Sequence, residues 1–351
     1  FDADKTSNCD KKVTGVSHED DDIRNYKGGD WKGVTQKINE GYFTKLGVNT
    51  LWITVPFKNS MSAGKGTDTK MYSSYHGYWP QDDDEDPTKI YTNDCFGSKS
   101  DLLELADAAH AKNIKVLYDY AMVHIHSDSA VYKNHKDWFY NLSDPTVGVC
   151  TGSKYDIMPD RERCWFTDYL PHWNYTPNTT AGDAARKYSV DNAIAAAKEL
   201  KADGFRCDAV KHIDKQWIRD LRKRLTSEVE PETWRAGSHF YLVGETFSTD
   251  YNLLNAYVGA DMLDGQFDFP VMQKLKDTVL NYHDMTKLAS FYDSNDLAYG
   301  NAVMSPFAGN HDIDRIAGAT TTNDTRLEYI TNAFAVLATQ KGAPLIYYGD
   351  E

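Results

Sequence analysis

The stretch GFRCDAVKHI (204–213) sets Arg206, Asp208, Lys211 and His212 on a segment whose other residues are those of a buried strand. Successive side chains of a strand point to opposite faces. Arg206 and Asp208 therefore share one face, and Phe205, Cys207 and Ala209 the other. An inward charge is costly unless it is paired or used. A structural Arg206–Asp208 ion pair and a functional edge both meet that condition, so the rest of the chain has to decide.

At 351 residues the chain exceeds the usual size of a single core, which fits one large barrel or two domains. A hydrophobic content of 41% supports a substantial core. No apolar run approaches the roughly 20 residues of a membrane span. A net charge of −14 argues against nucleic acid or an anionic membrane as partner, and a monomer is expected. Of the five cysteines, Cys150 and Cys164 bracket a loop-like segment and could close it as a disulfide. Cys207, inside the strand, reads as a buried thiol, while the partners of Cys9 and Cys95 stay open. Phe1 is not a natural start, so the true N-terminus is expected upstream.

Short apolar, β-branched or aromatic runs recur at 48–56, 113–123, 204–210, 239–247, 261–269, 301–312 and 343–351. Between them lie helical patterns at 99–113, 183–202 and 325–342, the first with Leu102, Leu105, Ala106 and Ala109 at helical spacing. Such alternation predicts a parallel sheet covered by helices. Seven strands are visible where a closed barrel needs eight, and the missing one is expected before Phe1. The interval 126–180 breaks the rhythm with Trp, Tyr, Pro and Asn, and a long insertion at a strand's C-terminal end is usually functional.

Polar residues gather at those C-terminal ends, where parallel barrels build their sites. Asp119 and His124 follow the third strand, Asp208 and His212 the fourth, Glu245 the fifth, and His311 and Asp312 the seventh. Three carboxylates at one mouth suit divalent-metal chemistry of the enolase kind or glycoside cleavage with one ionised nucleophile and one protonated acid. Arg206 would hold Asp208 ionised, and the apolar run before Glu245 would raise its pKa toward that of a general acid. That asymmetry favours glycoside cleavage.

The segments GFRCDAVKH (204–212), GETF (244–247), AGNHD (308–312), DYAMVH (119–124) and YHGYWP (75–80) resemble, in order, the signature segments of the family 13 glycoside hydrolases, the α-amylase family. The resemblance runs over essentially the whole chain. It implies a (β/α)8 TIM barrel with a second domain inserted after the third strand. The barrel's first part would span 1–125, the insertion 126–182 and the second part 183–351. The first strand and the C-terminal β-sandwich would lie outside the chain.

The resemblance also implies roles. Asp208 would be the nucleophile, Glu245 the general acid/base, and Asp312 the residue gripping the sugar hydroxyls. Arg206 would position Asp208, His124 and His311 would bond the sugar, and Tyr78 would stack on it beside His76. Lys211 and His212 would contact the sugar on the leaving-group side. The expected function is retaining hydrolysis of internal α-1,4 bonds in starch-like glucans by a secreted or periplasmic enzyme. A cyclodextrin-forming or other transglycosylase of the family is the alternative. A non-catalytic amylase-like heavy chain is remote, because such chains lose the carboxylates present here.

Family members usually hold a structural calcium between barrel and second domain. Their Asn and Asp ligands correspond here to Val123 and His172, and valine offers no hard oxygen from its side chain. The expected calcium site lies instead in the N-terminal loop. There Asp2, Asp4, Asn8 and Asp30 would give side-chain oxygens and Gly28 a carbonyl, as in the calcium loop of cyclodextrin-forming relatives.

Overall fold

The computed structural model describes residues 1–3, 9, 13, 15–16, 26, 28–66, 69–235, 237–280, 284–318 and 326–351, Arg326 by its backbone. The chain divides into two compact units. One comprises 1–208 with 212–241, the other 209–211 with 242–351.

The first unit begins its helices with α1 (Trp31–Asn39), whose N-terminus is capped by the Asp30 carboxylate, and α2 (Tyr42–Lys45). Then come β1 (Thr50–Ile53), a two-stranded ribbon of β2 (Gly64–Lys65) and β3 (Met71–Tyr72), α3 (Lys99–Ala111) and β4 (Lys115–Tyr120). After these follow α4 (Ala130–Asn134), α5 (Thr180–Glu199), β5 (Gly204–Cys207) and α6 (Lys215–Arg224). Strands β1, β4 and β5 pair in parallel, with Leu51 opposite Val116 and Asp119 opposite Arg206. All four residues of β5 and five of the six in β4 are buried, as expected of strands covered on both faces. Helix α3 starts with a Ser98–Asp101 capping box and buries Leu102, Leu105, Ala106 and Ala109, the stripe legible in the sequence. Gly204 is required where it stands: a Cβ there would come within 2.3 Å of the Tyr241 carbonyl oxygen.

Between α4 and α5 the chain makes only short helical turns and isolated bridges, and aromatic packing such as Phe139 on Trp173, with centroids 4.2 Å apart, takes the place of regular structure. Cys150 and Cys164 form the expected disulfide. Cys9 and Cys95 form a second across a sequence separation of 86, leaving Cys207 a buried thiol.

The second unit takes up β6 (Tyr241–Gly244) from Leu242 and continues through α7 (Tyr251–Asn255), β7 (Gly265–Asp268), α8 (Phe269–Leu275), α9 (Thr286–Tyr299), β8 (Ser305–Pro306) and α10 (Arg326–Thr339). Strand β7 pairs in parallel with both β6 and β8, Val243 lying opposite Gly265 and Phe267 opposite Ser305. Its core gathers Val271, Leu275, Leu288, Ile316, Ala333 and Leu337. The run at 343–351 meets the expectation only at its start, where Ala343 and Leu345 donate to the Met304 and Pro306 carbonyls at 2.9 Å alongside β8. Leu345 forms one parallel bridge to Phe307, and the chain then turns at Gly349, whose φ is +81°. Arg315 fixes that turn, donating to the Tyr348 carbonyl and, at 3.2 Å, to the Asp350 carboxylate.

Candidate active site

In the first unit the parallel register sets Asp119 of β4 directly opposite Arg206 of β5. The Arg206 Nη1 donates to Asp119 Oδ1 at 3.0 Å and also to Asp208 Oδ1. Asp119 Oδ2 accepts from the Tyr78 hydroxyl at 2.5 Å and the Trp52 indole at 3.2 Å. The guanidinium lies 5.3 Å from the Trp52 ring centre and 5.7 Å from that of Tyr78. Burial pushes the Asp119 carboxyl up to about 6, against the pull of Arg206. Asp208 follows the strand, its N–H donating to the Tyr120 carbonyl at 3.1 Å and its side chain 14% exposed. The Arg206–Asp208 pair is therefore real, and it is one arm of a larger network. Asp119 carries the same sequence signal as Arg206, a charge inside an apolar strand, yet no role followed from it. Trp52 gave no signal, because an indole in an apolar run reads as packing.

Tyr78 is half-buried by its ring while its hydroxyl is enclosed, and burial beside Asp119 drives the phenol pKa well up. A half-buried ring held by its hydroxyl suits stacking on a sugar. His76 stacks on it, centroids 5.5 Å apart, and its Nδ1 accepts from the Tyr78 N–H at 2.9 Å. His124 is buried, and its Nε2 donates to the Tyr78 carbonyl at 2.8 Å. Burial lowers its pKa, so the ring is neutral and Nδ1 is left as an acceptor.

His172 and His212 meet in the same unit. The His172 ring, 1% exposed, has Nδ1 2.7 Å from the Cys164 carbonyl and Nε2 2.9 Å from the His212 carbonyl. Only the imidazolium has two N–H donors for two acceptors. Burial pushes the ring's pKa down to about 4, so near neutral pH a single N–H serves one carbonyl or the other. His212 donates through Nδ1 to the Arg161 carbonyl at 2.7 Å. Phe166 packs edge-on against it at 4.8 Å.

In the second unit Glu245 lies just past β6 and is 6% exposed. Its Oε2 accepts from the Ala209 N–H at 3.1 Å, and its carbonyl accepts from the Val210 N–H at 2.8 Å. Ala209 reaches this carboxylate from a left-handed backbone, φ +45°, which an alanine adopts only under strain. The buried Lys211 donates to the Phe247 carbonyl at 3.2 Å. His311 and Asp312 are exposed, with His311 Nε2 3.3 Å from Asp312 Oδ2, and the Asp312 N–H donates to Asn310 Oδ1 at 2.9 Å.

Two candidate metal positions can be compared with these contacts. At the inter-domain one, Val123 is buried and its carbonyl takes the Trp173 N–H at 3.1 Å, while both His172 nitrogens face carbonyls. Those residues do not fit calcium. In the N-terminal loop Asp4 and Asn8 lie outside the described residues. Among the described residues no group of three or more His, Cys, Asp and Glu could hold a metal ion. The remaining members are hard oxygen donors in a close cradle. Asp2 Oδ2 lies 2.7 Å from where a Cβ on Gly28 would sit, and Gly28 has φ +92°. Asp30 takes the Ala3 N–H at 3.1 Å and also caps α1.

Known proteins share this design. The α-amylase catalytic-domain family model matches residues 4–351. An α-amylase of Niallia circulans is 30% identical over 94% of this chain and 60% of its own length. A cyclomaltodextrin glucanotransferase of Paenibacillus macerans is 30% identical over 96% of this chain and 46% of its own. The chain thus spans about half the length of the curated relatives it matches. Among solved structures, the Geobacillus thermoleovorans α-amylase complexed with acarbose superposes with a TM-score of 0.76 at 26% identity, covering 97% of this chain and 69% of that one. The γ-cyclodextrin glucanotransferase of alkalophilic Bacillus clarkii gives 0.77 at 26% identity, covering 100% and 49%. Parallel strands alternating with helices, with carboxylates at the strand ends, are here those of a (β/α)8 barrel, and the chain belongs to the α-amylase catalytic-domain family, the family 13 glycoside hydrolases.

Proposed function

We propose that the protein cleaves internal α-1,4-glucosidic bonds of starch-like glucans with retention of anomeric configuration. The observation that carries this reading is the Asp119–Arg206–Asp208 network, which holds a partly exposed carboxylate at the end of a buried strand. In the mechanism Asp208 attacks the anomeric carbon while Glu245 gives its proton to the departing glycosidic oxygen. A covalent glycosyl–Asp208 ester results. Glu245, now a carboxylate, takes a proton from water, which attacks the same carbon and releases Asp208. Asp312 and His311 grip the sugar hydroxyls, His124 bonds the sugar, and Tyr78 stacks on the ring beside His76. Lys211 and His212 contact the leaving-group side.

Calcium, when bound, would tie the chain before α1 to the loop that opens it, held by Asp2, Asp4, Asn8, Asp30 and the Gly28 carbonyl. It would act on stability and leave the chemistry to the carboxylates. The two disulfides support an oxidising compartment, hence secretion or the periplasm. Among the described residues no helix is long and apolar enough to cross a membrane. A monomer acting on α-glucan is the corresponding reading of its partners.

Transfer to a sugar acceptor instead of water is the second reading, favoured by the cyclomaltodextrin glucanotransferases among the relatives. The segment GETF, without the Trp typical of those enzymes, tilts toward water. Incubation with soluble starch, measuring reducing ends and cyclic products together, separates the two. Rising reducing ends with retained anomers by NMR are expected. Cyclic products without new reducing ends would establish transfer, and inverted anomers would remove the mechanism.

A further inference from the structure

The junction where this family commonly places a metal lacks the donors for one, and something else has to hold it. Five segments meet there: 122–125 after β4, the disulfide-closed loop 150–164, Phe166, the Pro171–Trp173 stretch and His212. Backbone bonds supply part of the tie, with Ile125 donating to the Pro171 carbonyl at 3.2 Å and Trp173 to that of Val123 at 3.1 Å. Neither reaches the loop or His212. The His172 side chain does, placed between the Cys164 and His212 carbonyls at 2.7 and 2.9 Å. Its own carbonyl accepts from the Tyr140 N–H at 3.0 Å, and Tyr140 and Phe166 flank the ring, so its orientation is fixed. His212 is in turn fixed from the loop, because its Nδ1 donates to the Arg161 carbonyl at 2.7 Å.

We propose that His172 is a positioning residue that replaces a metal at this junction, its ring set between the Cys164 and His212 carbonyls with its one N–H bonded to one of them, so that the disulfide-closed loop and His212 are held in one arrangement. A cation at that spot would have to displace the ring from between the two carbonyls. Removing the ring takes away one of the two ties between the loop and His212, and leaves His212 held by its own bond to Arg161 without a support on its backbone. This inference rests on the proposed placement of His212 on the leaving-group side. It predicts a defect confined to substrates that have a sugar there.

The test uses the full-length protein with His172→Ala and His172→Gln, whose amide carries two N–H donors. The kcat/KM of His172→Ala is expected to fall about tenfold on maltoheptaose, the order set by one lost buried hydrogen bond. On 4-nitrophenyl α-maltoside, whose leaving group is no sugar, it should fall less than about twofold. His172→Gln should recover most of the difference. Equal losses on both substrates would mean general damage and overturn the proposal.

A second arm needs no activity, so it survives even if the proposed reaction is wrong. Melting temperatures of wild type and His172→Ala are compared in calcium and in chelator. The variant should melt lower by the same amount in both, because a metal bound elsewhere acts independently. Rescue of the variant by calcium, a chelator effect that differs between the two proteins, or an unchanged melting temperature would each overturn the proposal.

Discussion

Asp119 and Arg206 are register partners on adjacent parallel strands, and their side chains meet at 3.0 Å with 0% and 1% exposure. Two charges so enclosed are held by each other and by the Tyr78 and Trp52 donors, with little help from water. Arg206→Met should therefore destabilise the fold by about 3–5 kcal/mol, because it leaves the Asp119 carboxylate buried without its counter-charge. Denaturant unfolding reads this directly. Adding Asp119→Asn to Arg206→Met should restore part of the loss, and a double variant as unstable as the sum of the singles would refute the coupling.

The same carboxylate sets a pH dependence with an unusual sign. Burial raises Asp119 to about 6, whereas in the unfolded chain an aspartate ionises near 3.9. Between about pH 4 and 6 the folded chain keeps a proton that the unfolded chain has released, so this group's contribution to stability falls as pH rises through that window. Activity should run the other way, since protonated Asp119 no longer draws Arg206 into place beside Asp208. Asp119→Asn should flatten the stability change between about pH 4 and 6. Identical stability curves for wild type and variant over that range would reject the shift.

Glu245 accepts from the backbone N–H of a strained residue, Ala209, at 3.1 Å. Glu245→Gln keeps an acceptor oxygen for that N–H, so the fold should survive while proton donation is lost. Its kcat on soluble starch should drop by about 10²- to 10⁴-fold, the usual worth of a positioned acid/base. A far smaller loss in a folded variant would assign the acid role elsewhere.

What the sequence made legible follows from where each signal resides. Arg206 and Asp208 stood out because charges are conspicuous among Phe205, Cys207 and Ala209. Asp119 was equally conspicuous in KVLYDY, but its meaning appears only when β4 and β5 pair and bring Arg206 opposite. Helix α3 was visible because its apolar spacing is local. The His172 clasp was hidden because both its partners are backbone carbonyls, which every residue carries. Local spacing likewise suggested Cys150–Cys164, at a separation of 14, whereas Cys9–Cys95, separated by 86, needed the folded chain. The strand expected at 343–351 holds only at 343–345, and the turn at its end, where Arg315 meets Tyr348 and Asp350, joins residues about thirty positions apart that no local pattern links.

Calcium removal separates stability from chemistry. Gly28 has a positive φ and sits against Asp2, while Asp30 joins Ala3 to the first turn of α1. An ion shared by Asp2, Asp30 and the Gly28 carbonyl would fasten the start of the chain to that helix, using oxygen donors at about 2.3–2.6 Å. Binding to the folded state alone stabilises by mass action, so saturating calcium at about 100 times its Kd adds about 2.7 kcal/mol. Chelation should lower the melting temperature while initial rates at low temperature stay nearly unchanged, because none of the proposed catalytic carboxylates is a ligand. Gly28→Ala should mimic chelation, since its Cβ would fall 2.7 Å from the Asp2 carboxylate and the residue would be forced to hold a left-handed backbone. Calcium should then no longer raise that variant's melting temperature. A wild-type melting temperature indifferent to chelator, or an initial rate that collapses with it, would show that no structural calcium acts through this loop.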